Sequence, residues 1–198
     1  MIIKFRKMTN TKNKQKVNDL LRHYKKAYDF VSKNFPEDIS WQNTVKFAKI
    51  TPKYFFEQYV WVVLASGFKV SIVQKIYEKW SKNPNDFSTI RHPLKNKAIK
   101  KTSKNYRRLF KELKSKKTND ERLEYLGTLP HIGNITKYHL AKNLGIDVAK
   151  PDVHLQRLMK KFGFNDVQQM CNVIKRKFRH KVSVIDIVLW RYAEQRKK

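Results

Sequence analysis

The sequence of 198 residues contains one cysteine, five glycines and six prolines. A single cysteine, Cys171, excludes an intramolecular disulfide and a cysteine-rich zinc or iron–sulfur site. Cys171 lies in the helical-looking run VQQMCNVIKRKF, where we expect a small buried side chain. Few glycines and prolines, and no lasting alternation of polar and apolar residues, argue against a chain built from strands.

Long hydrophobic runs are also missing. The most apolar stretch, YVWVVLA, is far shorter than the roughly 18 apolar residues that a membrane span needs. No secretory signal follows the basic start MIIKFRKMTN. We therefore expect an intracellular protein of the cytoplasm or nucleoid that has no membrane partner.

Acidic residues are few. The chain has 16 Asp and Glu against 45 Lys and Arg, which gives a formal net charge of +29. A globular chain with this charge repels itself, and a polyanionic partner relieves that repulsion. Nucleic acid is the first candidate partner, and an anionic membrane surface is the second.

What the sequence does contain is helical periodicity. Apolar residues recur at intervals of three and four in most windows, so the predicted fold class is all-α. Thr51-Pro52 predicts the capped start of a helix that is apolar on nearly all sides, and Gly67 predicts its end. The length suits one domain or two small lobes that share a cleft.

Residues 129–152 read LPHIGNITKYHLAKNLGIDVAKPD. We predict a helix that ends near Gly127, a tight turn from Pro130 to Gly133, and a new helix from about Asn134 or Ile135. The start of that second helix offers backbone N–H groups to an anion, and Gly133 lets a phosphate approach without meeting a Cβ. The alternative is an ordinary helix pair with a glycine turn.

Two motifs in this region resemble the HhH-GPD superfamily of DNA glycosylases. LPHIGNIT resembles the helix-hairpin-helix signature L-P-G-[IV]-G-x-x-[TS]-A. KPDVHLQRL is similar to V-D-T-H-I-x-R-V of the endonuclease III branch, with matches at Asp152, His154 and Arg157. VVLASGFKVS resembles L-L-S-x-Q-x-T, the loop that fills the gap left by a flipped base. The resemblance covers roughly residues 120–160, with a weaker similarity at 59–80.

The resemblance implies an all-α fold with two helical lobes flanking a cleft. It places the hairpin motif at residues 120–144 and the loop of the catalytic Asp at 145–158. The second lobe would combine the N-terminal helices of residues 17–80 with the C-terminal helices of 166–196. Together these form a domain of residues 17–198, preceded by a basic N-terminal arm of residues 1–16.

The chain departs from the family pattern at several places, and three of them bear on its chemistry. His131 stands where the hairpin usually has its first glycine, and Ile135 stands where bifunctional members carry the lysine of their lyase reaction. The four cysteines of the family's iron–sulfur loop are absent. The resemblance therefore implies excision without strand cleavage, no iron–sulfur cluster, and no required cofactor.

Asp152 is the predicted catalytic residue. When a C1′–N bond breaks, the sugar passes through a state like an oxocarbenium ion. A nearby carboxylate stabilises that positive charge and can also orient the water that attacks the sugar. The alternative is that Asp152 only caps a helix.

The remaining candidate residues fall into three groups. The predicted DNA-binding residues are His131, Gly133, Asn134, Thr136, Lys137, Lys104, Arg107 and Arg108, with Lys97, Lys100 and Lys101 beside them. The predicted wedge and pocket residues are Gly67, Phe68, Lys69, Trp61 and His154, and the other aromatic pocket candidates are Trp41, Tyr54, Phe55, Tyr59 and Trp190. The backbone of Leu129 and His131 is a predicted site for Na⁺ or K⁺.

The leading hypothesis is a monomeric DNA glycosylase that flips and excises a damaged or modified base from double-stranded DNA. A second hypothesis is a base-flipping binder or base-modifying enzyme on the same fold. A third is a non-catalytic, basic, helical protein that binds DNA or RNA.

Overall fold

The computed structural model describes the backbone of residues 2–196 and the side chains of residues 13–196. Over that range the chain is helical and has no strand, which confirms the all-α prediction. The helices are α1 (Ile2–Asn34), α2 (Pro36–Thr44), α3 (Pro52–Ala65), α4 (Val70–Lys82), α5 (Pro93–Ser103), α6 (Tyr106–Ser115), α7 (Asn119–Gly127), α8 (Thr136–Asn143), α9 (Val153–Phe162), α10 (Val167–Phe178) and α11 (Val182–Gln195), with a 3₁₀ turn at Phe47–Lys49. None of the helices in this range is long and apolar enough to cross a membrane.

Contacts between the helices divide the chain into two units. The first unit contains the described residues up to Thr44 and those from Asp147 onward, and the second contains residues 45–146. This division differs from the predicted lobes, because α3 and α4 pack in the unit that holds the hairpin. The Asp152 segment lies in the other unit, with α1, α10 and α11.

The first unit buries one stripe of α1 against α9, α10 and α11. Leu20, Tyr24, Ala27 and Val31 are fully buried, as the periodicity of α1 predicts. Cys171 is also buried, as expected. Helix α1 begins at Ile2, so the predicted arm of residues 1–16 is helical backbone from that point, and the side chains of residues 1–12 lie outside the described part.

The second unit is built around α3. The Thr51 side chain accepts a hydrogen bond from the Tyr54 N–H at 3.2 Å, and Pro52 occupies the first turn, as predicted. Helix α3 contacts α4, α5, α6 and α8 because nearly all of its sides are apolar and need cover. Phe55 and Tyr59, two of the aromatic pocket candidates, are fully buried in this core. They therefore do not line an open pocket.

The basic segment after residue 93 forms two helices, α5 and α6. The break lies at Lys104 and Asn105, where the Asn105 N–H donates to the Thr102 carbonyl and closes a turn. Lys104 therefore lies at the end of α5, while Arg107 and Arg108 begin α6.

His23 gives the first unit a pH-dependent stability. Its ring contacts those of Phe162 and Tyr192, with both centroid distances at 5.6 Å. Burial lowers the pKa of His23 below 6.5, and Lys161 with other nearby cations lowers it further. Below pH 6.5 the unfolded chain therefore binds more protons at this site than the folded chain. The free energy of unfolding falls as the pH falls through that window.

We predict that His23→Gln flattens this pH dependence. From about pH 7.5 to about pH 5.5, the Tm of the wild type should fall further than that of the variant. Only the wild type has an imidazole at this position, and its protonation favours the unfolded chain. Thermal unfolding followed by circular dichroism at both pH values checks the difference. Parallel shifts in the two proteins would contradict a role for His23.

Candidate functional site

The helix before the hairpin has well-defined ends. Thr118 and Glu121 form a reciprocal capping box at the start of α7, and α7 ends at Gly127 as predicted. Helix α8 begins at Thr136, one or two residues later than the predicted start. The turn therefore spans residues 128–135.

Buried apolar side chains and hydrogen bonds to the backbone hold the turn. Ile132 is 6% exposed, and its N–H donates to the Leu129 carbonyl at 3.1 Å. The Tyr59 hydroxyl on α3 donates to the Pro130 carbonyl at 2.7 Å. Tyr59 thus ties the hairpin turn to the core of the second unit.

His131 has the backbone conformation that a glycine favours. Its φ of 63° lies in the left-handed region, at the position where the hairpin signature has glycine. The turn keeps the backbone conformation that the motif suggests and adds an exposed imidazole to it. Burial lowers the pKa of His131, and the nearby Lys95 and His92 lower it further.

Gly133 leaves the outer side of the turn open. Its N–H donates to the Thr136 hydroxyl at 2.7 Å, and its carbonyl accepts from the Lys137 N–H at 3.0 Å. A Cβ built at Gly133 would meet only the Thr136 hydroxyl, at 3.9 Å. Backbone N–H groups that precede the first intrahelical donor of a helix are the ones that bind anions. At the start of α8 these belong to Asn134, Ile135 and Thr136.

The basic residues near the hairpin differ in their surroundings. The stem of Lys137 runs beside Gly127, and its ammonium lies 5.6 Å from the Tyr138 ring. Arg108 forms an ion pair with Glu112. Lys104 and Arg107 are both exposed, and the guanidinium of Arg107 lies over the ring of Tyr106 at 5.5 Å.

The predicted wedge loop follows α3. Gly67 has φ 81° and open space on its Cβ side. Phe68 is half-buried, with the Lys95 ammonium 3.7 Å from its ring centroid and the His92 ring 5.8 Å away. Phe68 therefore packs on its own unit, and Lys69 is the exposed side chain of the loop. Trp61 is half-buried and packs edge-on against Tyr77.

Lys95 is a structural residue that the sequence does not reveal. It is 2% exposed, and its ammonium donates to the carbonyls of Leu64 at 2.8 Å and Ser66 at 2.6 Å. Burial lowers the pKa of Lys95. Lys95 thus holds the carbonyl end of α3, and with it the start of the wedge loop. A lysine in so basic a stretch is normally expected on a solvated face, which is why the sequence gives no signal for this role.

Asp152 is the N-cap of α9. Its Oδ1 accepts hydrogen bonds from the N–H groups of His154 at 3.0 Å and Leu155 at 3.1 Å. Its Oδ2 lies 3.7 Å from the Lys150 ammonium, and the Asp152 side chain is 12% exposed. One carboxylate oxygen is therefore fixed by the helix start, while the other faces an amine.

Two hydrogen bonds to other helices hold the segment that leads to Asp152. The Ala149 N–H donates to Gln168 Oε1 at 2.9 Å, and the Lys150 N–H donates to Asp186 Oδ1 at 2.6 Å. Gln168 lies on α10 and Asp186 on α11. Asp186 is 1% exposed. The carboxylate of Asp152 thus stands on a backbone that two other helices fix in place.

Asp147 anchors the beginning of the same segment. Its side chain accepts from the Ser183 N–H at 3.0 Å and pairs with the Lys175 ammonium at 2.7 Å. It therefore supplies a cap to α11, whose own N-cap residue makes no side-chain cap. Asp147 therefore joins α11 and α10 to the Asp152 segment.

The other predicted pocket residues are divided between the units. Trp41 and Trp190 lie in the first unit, where Trp41 is 37% exposed and Trp190 stacks on the Arg191 guanidinium at 5.0 Å. Tyr54 lies in the second unit and donates to the Asn143 carbonyl at 3.1 Å. His154 is half-buried in the first unit, as the second residue of α9.

Known proteins resemble this chain in structure but not in sequence. No family model matches the sequence, and neither does any curated protein. The structure is similar to that of the 8-oxoguanine DNA glycosylase of Thermotoga maritima, with a TM-score of 0.68, 16% identity, and coverage of 88% of this chain and 95% of that one.

A second solved structure is similar over nearly the same length. It is the 8-oxoguanine glycosylase/lyase of Methanocaldococcus jannaschii in complex with a 15mer DNA containing 8-oxoguanine, with a TM-score of 0.66, 14% identity, and coverage of 83% and 94%. At these identities the likeness concerns the fold, and the endonuclease III-like branch stays a prediction. The chain has the all-α, HhH-GPD-type fold that its hairpin motif predicts.

Proposed function

We propose that this protein is a DNA glycosylase that excises a damaged or modified base from double-stranded DNA. The observation that carries the proposal is Asp152, a nearly buried carboxylate fixed at the start of α9. The fold shared with two 8-oxoguanine glycosylases supports it. The net charge of +29 suits a polyanionic substrate.

Asp152 would act on the sugar of a flipped nucleotide. As the C1′–N bond breaks, its electron pair leaves with the base, and positive charge develops on C1′ and the ring oxygen. The Asp152 carboxylate stabilises that charge and orients the water that attacks C1′. The two backbone hydrogen bonds to Oδ1 keep the carboxylate in place without reorganisation during the reaction.

The hairpin would hold the phosphate backbone. Phosphate oxygens accept from the N–H groups at the start of α8, while Lys137, Lys104 and Arg107 add charge. Na⁺ or K⁺ between a phosphate and the carbonyls of Leu129 and His131 belongs to the same proposal, since backbone carbonyl oxygens are ligands that such ions accept. The partner is duplex DNA, bound by a monomer.

The loop after α3 would fill the space left by the flipped base. Gly67, Phe68 and Lys69 remain the proposed wedge, with Lys69 as the side chain that reaches out and Phe68 as its packed base. Trp61 and His154 remain proposed pocket residues.

Hydrolysis, rather than strand cleavage, would be the main reaction. Ile135 stands at the N-cap of α8, and the hairpin offers no amine at that position. Water is then the nucleophile that completes base release, and the product is an abasic site.

A panel of duplexes tests the proposal. Each duplex carries one oxidised, deaminated or alkylated base, and 8-oxoguanine comes first because both structural neighbours act on it. After incubation, hot alkali cuts the strand wherever a base has been lost. We expect alkali-dependent cleavage at one class of modified base. Intact strands across the whole panel would contradict the proposal.

Gly133 provides a test of the hairpin. We predict that Gly133→Ala weakens binding to duplex DNA about 10-fold, or about 1.4 kcal/mol, because the new Cβ meets the phosphate. The free chain has room for the methyl group, so the Tm should not fall. Fluorescence anisotropy at fixed salt measures the Kd.

Gly127→Ala is the matched control. Its new Cβ would make an ordinary 3.4 Å contact with the Lys137 stem, so DNA affinity should stay at the wild-type value. Unchanged affinity in Gly133→Ala would show that the turn does not contact a phosphate.

A further inference from the structure

Lys150 and Asp152 place an amine and a carboxylate side by side in the first unit. The Lys150 ammonium lies 3.7 Å from Asp152 Oδ2, and the two side chains are 23% and 12% exposed. An ion pair this well covered differs from a surface pair, in which long side chains lose their geometry to solvent.

The backbone fixes the same pair. The Asp152 N–H donates to the Lys150 carbonyl at 2.8 Å, which closes a tight turn between the two residues. The Lys150 N–H donates to the buried Asp186 at 2.6 Å. Both residues therefore stand on one short segment whose position is set by α11.

This pairing has a consequence for the reaction. The Lys150 ammonium offsets part of the negative charge with which Asp152 would stabilise the sugar. A purely electrostatic role for Lys150 would therefore weaken catalysis. An amine at this place can instead react with the carbon beside which Asp152 acts. Once the base has left, that carbon is an aldehyde in the ring-opened form of the abasic site.

We propose that Lys150 forms a covalent imine with abasic DNA and gives this protein a secondary strand-cleaving activity. The proposal rests on the proposed function, because it needs Asp152 beside C1′. Lys150 then supplies the nucleophile that Ile135 cannot supply from the hairpin.

Imine formation and strand cleavage need only the abasic DNA, Lys150, Asp152 and water. The Lys150 ammonium passes a proton to water, its lone pair adds to C1′ of the aldehyde, and loss of water leaves a protonated imine. Asp152 then takes a proton from C2′, the electron pair forms the C2′–C3′ double bond, and the C3′–O bond breaks. The 3′ phosphate leaves as an anion, and the strand is cut.

Two other lysines near the proposed DNA-binding elements are less suited to this role. Lys95 is buried, with its ammonium bonded to two carbonyls. Lys137 lies beside Gly127 and the Tyr138 ring in the second unit. Lys160 serves as the control lysine, because it is exposed on α9 in the same unit as Lys150 and has no proposed contact with DNA.

Borohydride trapping on duplex DNA with a preformed abasic site tests the proposal. Borohydride reduces the imine to a stable amine, so the adduct appears as a slow band in a denaturing gel. We expect the wild type and Lys160→Gln to form the adduct, and Lys150→Gln to form at least about 10-fold less of it. Mass spectrometry of the digested wild-type adduct should place the sugar remnant on Lys150.

The variant Lys150→Arg tests whether the nucleophilic amine, rather than the positive charge, is what position 150 supplies. The guanidinium keeps a cation beside Asp152 but does not deprotonate to become a nucleophile, so this variant should also lose the adduct. An adduct at the wild-type level in Lys150→Arg, no adduct in the wild type, or a sugar remnant on another residue would each overturn the proposal. The mapping uses the wild-type protein and so holds even if a variant folds poorly.

The trapping experiment can fail while the proposed glycosylase activity holds. A preformed abasic site needs no base release, so trapping at Lys150 is measured independently of excision. Base release from a modified duplex without any trapped adduct would leave the glycosylase in place and remove only the role of Lys150.

Discussion

Asp152→Asn is expected to lower the rate of base release by about 100- to 1000-fold, the usual loss when one preorganised electrostatic group is removed from an active site. The amide has the shape of the carboxylate but not its charge. It also caps a helix as well as Asp does, so the hydrogen bonds from His154 and Leu155 can persist. The variant therefore separates catalysis from capping.

The measurement is single-turnover excision with enzyme in excess over a duplex that the wild type cleaves. The Kd for the same duplex should change by less than about threefold, and the free energy of unfolding by less than about 0.5 kcal/mol. Asp166→Asn is the matched control, because Asp166 caps α10 by accepting from the Gln169 N–H at 2.8 Å. The control should keep the wild-type rate. Full activity in Asp152→Asn would show that Asp152 is only a cap.

Gly145→Ala is expected to destabilise the second unit by about 2–5 kcal/mol. Gly145 follows α8 with φ 78°, a conformation that costs an L-residue about 1–2 kcal/mol. A Cβ there would lie 2.8 Å from the Phe47 nitrogen and 3.0 Å from the Val45 carbonyl oxygen. Because both atoms belong to the backbone, relief requires the chain to move, at a further cost of about 1–3 kcal/mol. Urea unfolding followed by circular dichroism measures the loss.

Gly67→Ala is the control for backbone strain alone. Gly67 has nearly the same φ, 81°, but nothing lies within 4 Å of its Cβ position. The expected cost is about 1–2 kcal/mol. Equal losses in the two variants would contradict the close approach of residues 45–47 to Gly145.

The sequence predicts those parts of the fold that depend on neighbours along the chain. Thr51 before Pro52, Thr118 with Glu121, and Asp152 at the start of α9 are caps whose donors lie two or three residues away. The hairpin is equally local, since Gly127 and Gly133 bracket a short turn. The stripe of α1 follows from helical periodicity alone.

The sequence does not predict contacts between residues that are far apart along the chain. Lys150 meets Asp186 across 36 positions, and Lys95 reaches back 31 positions to the Leu64 carbonyl. The predicted wedge shows the same limit. Phe68 looks exposed at a helix break, but Lys95 and His92 pack against it. Residue type and spacing carry no signal for such pairs.

The boundaries of the two units differ from the predicted lobes for a related reason. The sequence shows that α3 is apolar on nearly all sides, but it does not say which helices cover it. In the structure α4, α5, α6 and α8 do so, and they draw α3 into the unit of the hairpin.

The other two hypotheses make different predictions for the fate of the base. A base-flipping binder or a basic architectural protein leaves the base attached and unchanged. A base-modifying enzyme leaves an altered base on the sugar. Only a glycosylase releases the base itself.

The most direct measurement is therefore the mass of the small molecules released from modified duplexes by the wild-type protein and by Asp152→Asn. The proposed function predicts that the wild type frees one intact modified base in equal amount to the abasic sites formed, while Asp152→Asn frees almost none. Tight binding without a free base across the whole panel, or equal release by both proteins, would contradict it.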